Sequence, residues 1–481
     1  MQPATREVHK GFLLALLALS QFVVVLDASI TNVALPSIGR DLDLSQDSLS
    51  WVVNAYTLTF GGFLLLGGRL ADILGRRRVY MAGLVLFGAA SFVGGFSQTE
   101  GMLIIARAVQ GLGAALLSPA ALSILTTVFR EGAERNRALG VWGAVAGAGG
   151  AAGVLLGGIL TEYLSWRWVL FVNVPIAVIA VSLAPRLVPE SRDERERNGF
   201  DVAGAFTVTA GLAILIYALV DANSAGWGSA QTIGLLALAA VLLVSFVVIE
   251  SRTSDPLVPF DVFSNRTRTG AYATGLLVGA SLFSMFFFIS LYMQQVLGWD
   301  ALKSGLAYLP LAVTIIISAG LASVLVTKIG FKPVIIAGLL FIAAGLILFS
   351  RISAGGSFLG DVLFPSLLAA LGLGFSFVPV TIGGTTGISQ DEAGLASGLI
   401  NAGQQVGGAL GLAILAALAT ARTDAVATGV GKPSTTALTE GFSAAFLGGA
   451  AFALIGAVLA IFLIRSEDSR ALIGQNPEPV G

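Results

Sequence analysis

Long apolar runs, most of them about 20 residues in length, alternate with short polar segments along nearly the whole chain. The first run, 11–36, has 26 residues, which is about 39 Å of helix at 1.5 Å per residue. It is longer than the apolar core of a cleaved signal peptide and long enough to cross a bilayer with some tilt. The pattern therefore predicts an all-α integral membrane protein with fourteen transmembrane helices. The predicted spans are 11–36, 50–70, 79–97, 102–126, 138–160, 168–184, 201–221, 232–250, 269–296, 305–327, 334–350, 361–385, 397–420 and 442–464.

The composition supports this class and limits the chemistry. Hydrophobic residues make up 56% of the 481 residues and charged residues only 11%, against about a quarter charged in a soluble domain. There is no cysteine, and the single histidine is His9 in the polar N-terminal segment. Disulfides, thiolate metal sites and cysteine catalysis are therefore excluded, and neither a metal nor a cofactor is expected. The net charge of −1 gives no reason to expect a nucleic-acid partner.

The basic residues predict the orientation of the spans. With the N-terminus placed in the cytoplasm, 20 of the 27 lysines and arginines fall in cytoplasmic segments and 6 in outer ones, while Arg107 lies inside a span. Cytoplasmic loops carry such an excess of basic residues. The loop at 386–396 departs from the pattern, because it has no lysine or arginine. The sequence thus predicts a multi-pass protein of a bacterial cytoplasmic membrane with both termini in the cytoplasm.

Two longer polar stretches divide the chain. They lie at 185–200 and 251–268, after the sixth and the eighth predicted spans. The chain then consists of six helices, two extra helices and six more. The predicted units are an N-terminal bundle at 1–184, a linker with the extra pair at 185–268, a C-terminal bundle at 269–464 and a cytoplasmic tail at 465–481. Repeats of six-helix halves are a common architecture of secondary transporters.

Six motifs, in order along the chain, carry a family resemblance. They are LDASITNVALP at 26–36, the G-x-L-A-D-x-x-G-R-R pattern at 68–77, RAVQGLGAA at 107–115, WRWVLFVNVPIA at 166–177, DPLVPFDVF at 255–263 and ASGLINAGQQVGGALG at 396–411. With them, the chain resembles the major facilitator superfamily and, within it, the fourteen-helix drug:proton antiporters that act in multidrug efflux. The resemblance implies the major facilitator fold in a 6 + 2 + 6 arrangement.

Asp27 and Arg107 are the charged residues that stand out inside predicted spans. A charged side chain near the bilayer centre costs on the order of 2.5–3.5 kcal/mol, and burial favours the neutral form of a carboxyl group. The resemblance implies that Asp27 is the proton-coupling acid and that Arg107 takes part in proton transfer. We further expect Asp27 to be an indirect partner of Arg107. The structural alternatives stay open: Asp27 bonds to neighbouring backbone, and Arg107 donates to carbonyl groups of the first span.

The turn between the second and third predicted spans is a candidate conformational latch. Glycine permits a tight turn, and an aspartate there caps a helix or pairs with arginine. The resemblance implies that this turn holds one conformation and opens during transport; the alternative is a basic cluster that only fixes topology. The latch residues are Gly68, Asp72, Gly75, Arg76 and Arg77.

The fifth predicted span carries a glycine motif that departs from the family. Gly153, Gly157 and Gly158 lie where glycines allow close helix packing, but Val154 stands where the antiporter motif has proline. In the family this motif is associated with antiport rather than symport. We therefore expect a less kinked helix, and the direction of coupling stays open on this evidence.

Polar and aromatic side chains within the spans are candidates for a substrate cavity. Polar side chains inside membranes usually face the protein interior, and aromatic and methionine side chains suit varied ligands. The alternative for the polar residues, Gln405 among them, is helix–helix hydrogen bonding, and for the aromatic ones it is contact with lipid. The candidates are Asn54, Tyr56, Gln110, Phe286, Tyr292, Gln294, Asn401 and Gln404.

The sequence therefore predicts a secondary exporter of drug-like or amphipathic small molecules in exchange for protons, which works as a monomer in the lipid bilayer. Its first alternative is a proton-coupled uptake symporter for a metabolite, which the missing proline at Val154 supports. The second is a membrane enzyme or a receptor. For that class the sequence offers no His/Cys chemistry and no phosphate-binding loop.

Overall fold

A computed structural model describes residues 9–44, 46–191, 201–253, 256–388, 393–427, 434–471 and 473. Helices account for nearly all of this part of the chain, and no β-strand occurs within it. The α-helices are α1 Lys10–Asp41, α2 Gln46–Leu74, α3 Arg76–Gly95, α4 Glu100–Val128, α5 Ala133–Tyr163, α6 Trp168–Phe171, α7 Asn173–Leu187, α8 Val202–Ala225, α9 Ala230–Glu250, α10 Arg266–Leu291, α11 Ala301–Ala307, α12 Leu309–Ile329, α13 Phe331–Phe349, α14 Phe364–Thr385, α15 Ala393–Val426, α16 Thr435–Leu463 and α17 Ser466–Arg470.

The prediction of fourteen membrane-spanning helices is confirmed: the described residues contain 14 helical segments long and apolar enough to cross a bilayer. Two spans are composite. The sixth joins α6 to α7, and the tenth joins α11 to α12. Short π-helical segments extend α10 at Tyr292–Val296 and precede α14 at Phe358–Leu363. The break between α6 and α7 lies next to Pro175, which has no N–H to donate to the carbonyl group four residues earlier.

Local sequence signals set several helix starts. Thr99, Asp201 and Ser229 each accept a hydrogen bond from a backbone N–H in the first turn of the helix that follows, which satisfies a donor that has no intrahelical partner. Between α2 and α3 the chain turns at Gly75, whose φ of +105° is unfavourable for other residues. These caps keep the interhelical connections short.

The helices form two sets joined by a hairpin. Within the first set, α2 and α3 pack against α4, and α1 packs against α5. Within the second set, α13 packs against α14, and α10 packs against α15. The two sets meet where α5 contacts α12 and where α2 contacts α15. The α8–α9 hairpin lies beside the second of these contacts, because α8 packs on both α2 and α15.

Glycines allow helix α5 to approach α1 closely. A Cβ added at Gly153 would lie 2.7 Å from the carbonyl oxygen of Leu26 and 3.0 Å from the backbone N of Ile30. One turn later, a Cβ at Gly157 would lie 3.0 Å from the Ile30 carbonyl oxygen. Gly158, by contrast, faces Leu302 of α11 at an ordinary 3.7 Å. Helix α5 is one continuous α-helix, but so are α4, which contains Pro119, and α14, which contains Pro379, so the expectation of a less kinked α5 stays a prediction.

This packing predicts that Gly153→Val destabilises the protein. The added methyl groups would press on the α1 backbone, and overpacking of this kind costs about 1–3 kcal/mol. The matched control is Gly150→Val on the same helix, because an added Cβ at Gly150 meets no atom within 4 Å. Thermal unfolding of the two purified variants checks the prediction. Equal melting temperatures would show that α1 and α5 are not in close contact at Gly153.

Candidate functional site

Asp27 lies in the middle of α1 with its side chain completely buried. The guanidinium group of Arg107, on α4, forms an ion pair with it, with Nη1 of Arg107 2.6 Å from Oδ2 of Asp27. Arg107 is only 1% exposed. The pair is direct, so the expectation of an indirect partnership was wrong. A buried carboxylate and guanidinium in contact compensate each other, and removal of one partner leaves an uncompensated buried charge.

Two amide groups complete the contacts of the Asp27 carboxylate. Gln110 Nε2 and Asn173 Nδ2 each donate to Asp27 Oδ1 at 2.7 Å. Gln110 lies one turn after Arg107 on α4, and Asn173 is the first residue of α7. Both amides are at most 1% exposed. The two carboxylate oxygens therefore face three donors from two other helices, and a buried charge needs such a shell of hydrogen bonds.

The Arg107 guanidinium is held by groups of α2 and α4. Nε donates to the carbonyl oxygen of Val52 at 3.2 Å, and Nη1 also donates to Gln110 Oε1 at 2.8 Å. The guanidinium carbon lies 4.4 Å from the centre of the Tyr56 ring, a cation–π geometry. The structural alternative for Arg107 was donation to carbonyl groups of the first span. The carbonyl group that accepts from Arg107 instead belongs to Val52 of α2.

Asn173 and Ser91 are members of the network that the sequence reasoning missed. Ser91 Oγ accepts from Asn173 Nδ2 at 3.0 Å and from Gln110 Nε2 at 3.2 Å, and it donates to the carbonyl oxygen of Leu170 at 2.8 Å. The signal for Asn173 was available, since it is a polar amide inside an apolar span. Its Oδ1 is buried and has no hydrogen-bond donor, so the network contains one unused acceptor.

The network predicts that Asn173→Ala lowers both stability and transport activity. The change removes one donor from Asp27 and one from Ser91, and leaving buried polar groups unsatisfied costs about 1–3 kcal/mol. The matched control is Asn32→Ala, because Asn32 is exposed and donates only to a carbonyl group of its own helix. Thermal unfolding and drug-export assays of both variants check the prediction. A loss of activity equal to that of Asn32→Ala would contradict a role for Asn173.

The candidate latch residues are brought together at the end of the bundle that carries most arginines. Arg76 and Asp72, both buried, form an ion pair, with Arg76 Nη2 2.9 Å from Asp72 Oδ1. Asp72 Oδ2 accepts from the backbone N–H of Leu395 on α15 at 3.0 Å. The two helix sets are thus joined through one carboxylate. Gly68 lies next to α15 at this interface, because a Cβ built on Gly398 would lie 3.7 Å from the Cα of Gly68.

Arg77 has a different set of partners from Arg76. Its side chain lies 3.5 Å from the carboxylate of Glu190 and donates to the carbonyl oxygen of Val188. Both partners follow α7, so Arg77 ties the α2–α3 turn to the segment after the sixth span. On the same face, Asn136 of α5 donates to Thr327 of α12 at 3.0 Å. The two helix sets are therefore in contact on both sides of this end.

The candidate cavity residues are not brought together as one group. Gln110 and Tyr56 belong to the Asp27 network, as described above. Tyr292 is fully buried and donates to the carbonyl oxygen of Ser353, whereas Gln294 is exposed and donates to Ser290 of its own helix. The remaining candidates, all half-buried, are Asn54 on α2, Phe286 on α10, which stacks on Tyr308, and Asn401 and Gln404 on α15.

Comparison with known proteins identifies the family. The family model of the Major Facilitator Superfamily matches residues 17–412. The chain is 40% identical to the puromycin resistance protein of Streptomyces alboniger, covering 95% of this chain and 92% of that protein. It is 41% identical to the cephamycin export protein of Amycolatopsis lactamdurans, covering 93% and 91%.

A further relative and a solved structure extend this similarity. The chain is 33% identical to a multidrug transporter of Bacillus subtilis, covering 88% of this chain and 77% of that protein. In fold it is similar to the crystal structure of the human organic anion transporter MFSD10, with a TM-score of 0.65, 16% identity and coverage of 95% of this chain and 100% of that one. The chain is therefore a multi-pass membrane protein that belongs to the Major Facilitator Superfamily of transporters.

Proposed function

We propose that this chain exports drug-like, amphipathic or cationic small molecules in exchange for protons by alternating access. Its similarity to proteins named for antibiotic resistance, antibiotic export and multidrug transport supports export. The observation that carries the proton coupling is the buried Asp27–Arg107 pair with its two amide donors. The guanidinium favours the ionised form of the carboxylate while the two groups are paired, so making and breaking this pair would let Asp27 release and bind a proton.

Protonation of Asp27 changes the network in a defined way. Neutral Asp27 no longer compensates the charge of Arg107, so the ion pair weakens. Its new O–H group needs an acceptor, and the Oδ1 atom of Asn173, on the amide that already contacts Asp27, has no donor. Rotation of that amide would offer this oxygen to the protonated acid. Asn173 then has a hydrogen bond to Asp27 in both protonation states, while Arg107 is released to move.

The Asp72 latch is the proposed link between this network and the movement of the two helix sets. Asp72 contacts Leu395 across the interface, and its second oxygen contacts Arg76. Asp72 and Arg107 both belong to helices that pack together, α2 and α4. Movement of Arg107 away from the Val52 carbonyl would shift α2 relative to α4. This shift of α2 would weaken the contact of Asp72 with Leu395 and so loosen the latch. Gly68, Gly75 and Arg77 shape the turn that holds Asp72.

The substrate is proposed to bind between the helix sets, near α2, α10 and α15. Asn54, Phe286, Asn401 and Gln404 are half-buried on these helices, so they combine partial access with polar or aromatic surface. Gln110 and Tyr56 would contact the cargo only through the Asp27 network. A mainly apolar pocket with a few polar groups is the usual form of small-molecule sites.

An uptake symporter for a metabolite is the second candidate. Only Val154, in place of the motif proline, favours it. The side chain and backbone of Val154 lie close to Gly305 of α11, with 3.1 Å between Val154 Cγ1 and a Cβ built on Gly305. This contact between the two helix sets is the same for either direction of transport, so it does not support symport. We favour export because the chain is similar to proteins named for antibiotic resistance and antibiotic export.

Orientation, domain limits and assembly complete the proposal. We place both termini in the cytoplasm, because the basic residues concentrate in the segments on that side. The functional units are 1–184, 185–268, 269–464 and the tail 465–481, and one copy of the chain suffices for transport, since each half contributes helices to a single interface.

A gradient assay tests the proposed function. Everted membrane vesicles that contain the chain are given an acidic interior, and puromycin or a cationic dye is then added. Antiport predicts a rapid loss of the pH gradient, absent in vesicles without the chain. If no loss occurs for any drug and whole cells instead show proton-stimulated uptake, the symporter is correct and export is rejected.

A further inference from the structure

Two carboxyl groups meet at the base of the α8–α9 hairpin, away from the Asp27 network. Asp201 is the residue that caps α8, and Glu250 is the last residue of α9. A Cβ built on Gly204 would lie 2.5 Å from Glu250 Oε1 and against Asp201 Oδ2. Both oxygens therefore approach the same side of Gly204, at the point where a Cβ would stand. Glu250 is only 3% exposed, so the contact is shielded from water.

Neither of these two oxygens has a hydrogen-bond donor. Asp201 Oδ2 and Glu250 Oε1 are both buried without a partner. The other oxygen of each group is used: Asp201 Oδ1 accepts from the N–H of Gly204, and Glu250 Oε2 accepts from the N–H of Val258. Two ionised carboxylates placed in this way would repel each other, and each would keep one oxygen without a donor. One proton bound between the two oxygens removes the repulsion and supplies the missing hydrogen bond.

The other charged groups around the pair do not neutralise it by contact. Arg252, two residues after Glu250, is exposed, and so is Asp261 on the segment that follows α9. Arg69 of α2 is 2% exposed and donates to the carbonyl oxygen of Pro256 at 3.0 Å. In the described part of the chain, neither arginine forms an ion pair with Asp201 or Glu250, and Asp261 has the same sign of charge as the pair.

Arg69 provides an independent observation on the charge of this region. Its Nε and Nη1 are buried with no hydrogen-bond partner. Its side chain lines a cavity of about 10 Å³ together with Ala205, which follows Gly204, and Val258, which donates to Glu250. A buried cation is tolerated best with a compensating negative charge nearby. An acid pair that holds one proton carries a charge of −1, so it still supplies a negative charge beside the cavity that Arg69 lines.

We propose that Asp201 and Glu250 share one proton and form a second proton-binding site at the arginine-rich end of the α8–α9 hairpin. A metal cation fits less well, because cations such as Mg²⁺ and Ca²⁺ take six or more oxygen ligands and only two oxygens are unpartnered here. The site ties the start of α8 to the end of α9. Because α8 packs on both α2 and α15, the proton helps to keep the hairpin seated at the junction of the two helix sets.

Infrared spectroscopy of the full-length protein in lipid nanodiscs tests the shared proton. A protonated carboxyl group has a C=O band that a carboxylate lacks, and ordinary carboxyl groups with pKa values near 4 are ionised at neutral pH. Three variants are compared with the parent protein at neutral pH: Glu250→Gln, Asp201→Asn and the double variant. Asp261→Asn is the matched control, because Asp261 is exposed at the same end.

A shared proton predicts that each single variant loses the intensity of one carboxyl C=O band. The double variant loses no more than either single variant, because the pair holds only one proton, and Asp261→Asn loses none. Unchanged intensity in both single variants, or losses that add in the double variant, would overturn the proposal. Loss of the band on addition of Na⁺ or Mg²⁺ to the parent protein would assign the site to a cation instead. Asp27 is unaltered in all variants, so the outcome is independent of the proposed coupling site.

Discussion

Asp27→Asn is expected to abolish proton-coupled export. Asparagine preserves the shape of the side chain, but its amide group does not bind and release a proton near neutral pH. It also leaves Arg107, which is 1% exposed, without its counter-charge, and breaking a buried ion pair in this way costs about 3–5 kcal/mol. Drug-induced loss of the pH gradient in everted vesicles should fall to the level of vesicles without the chain.

Two further variants separate the loss of coupling from the loss of stability. Asp41→Asn removes an exposed carboxylate from the same helix, where it pairs with Arg167, and should retain export. The double variant Asp27→Asn with Arg107→Gln removes both buried charges and should recover most of the stability without recovering coupling. Full export by Asp27→Asn would show that another group carries the proton.

Asp72→Asn is expected to open the arginine-rich end of the bundle. The change weakens the pair with Arg76 and the bond from the Leu395 N–H, which crosses between the helix sets. Hydrogen bonds to charged groups contribute about 1.5–3 kcal/mol. If the closed form loses about 1.5 kcal/mol of stability, the equilibrium between the closed and open forms shifts by roughly tenfold.

Disulfide trapping measures this shift, because the chain has no cysteine of its own. Cysteines introduced at Asn136 and Thr327, whose side chains are in contact at this end, should crosslink rapidly in the parent protein and several-fold more slowly with Asp72→Asn. Asp221→Asn is the matched control, since Asp221 interacts with Gln231 between α8 and α9 at the opposite end. Equal crosslinking with and without Asp72→Asn would contradict the latch.

The helices were predictable because hydropathy alone determines which segments cross a membrane. All fourteen spans follow from apolar runs, and their ends differ from the predicted ones by a few residues. The extensions are largest where a more polar helix continues beyond the predicted apolar run, as in α16, which begins at Thr435, and α15, which ends at Val426. Hydropathy carries no information about such ends, because a helix in water pairs its backbone as well as one in lipid.

The contacts of the site were less predictable, because they depend on distances between helices far apart in the sequence. Asp27 and Arg107 were identified by their charge in a span, but their direct contact spans 80 positions. Asn173 was overlooked although it is an amide within an apolar run, like the candidates Asn54 and Asn401, because the sequence does not show which amides face Asp27. Asp201 and Glu250 lie near the ends of predicted spans, where a carboxylate is expected to be solvated, and only the packing at Gly204 brings them together.

The central claim is that a proton on Asp27 drives export, and substrate accumulation in proteoliposomes tests it most directly. Purified protein is reconstituted, the membrane potential is clamped at zero, and an interior one pH unit more acidic is imposed. A permanently cationic dye is supplied outside, since such a dye is not trapped as a weak base. One-for-one exchange predicts up to about tenfold accumulation for the parent protein and none for Asp27→Asn. Equal accumulation by both, or accumulation by the parent protein without the pH difference, would contradict the account.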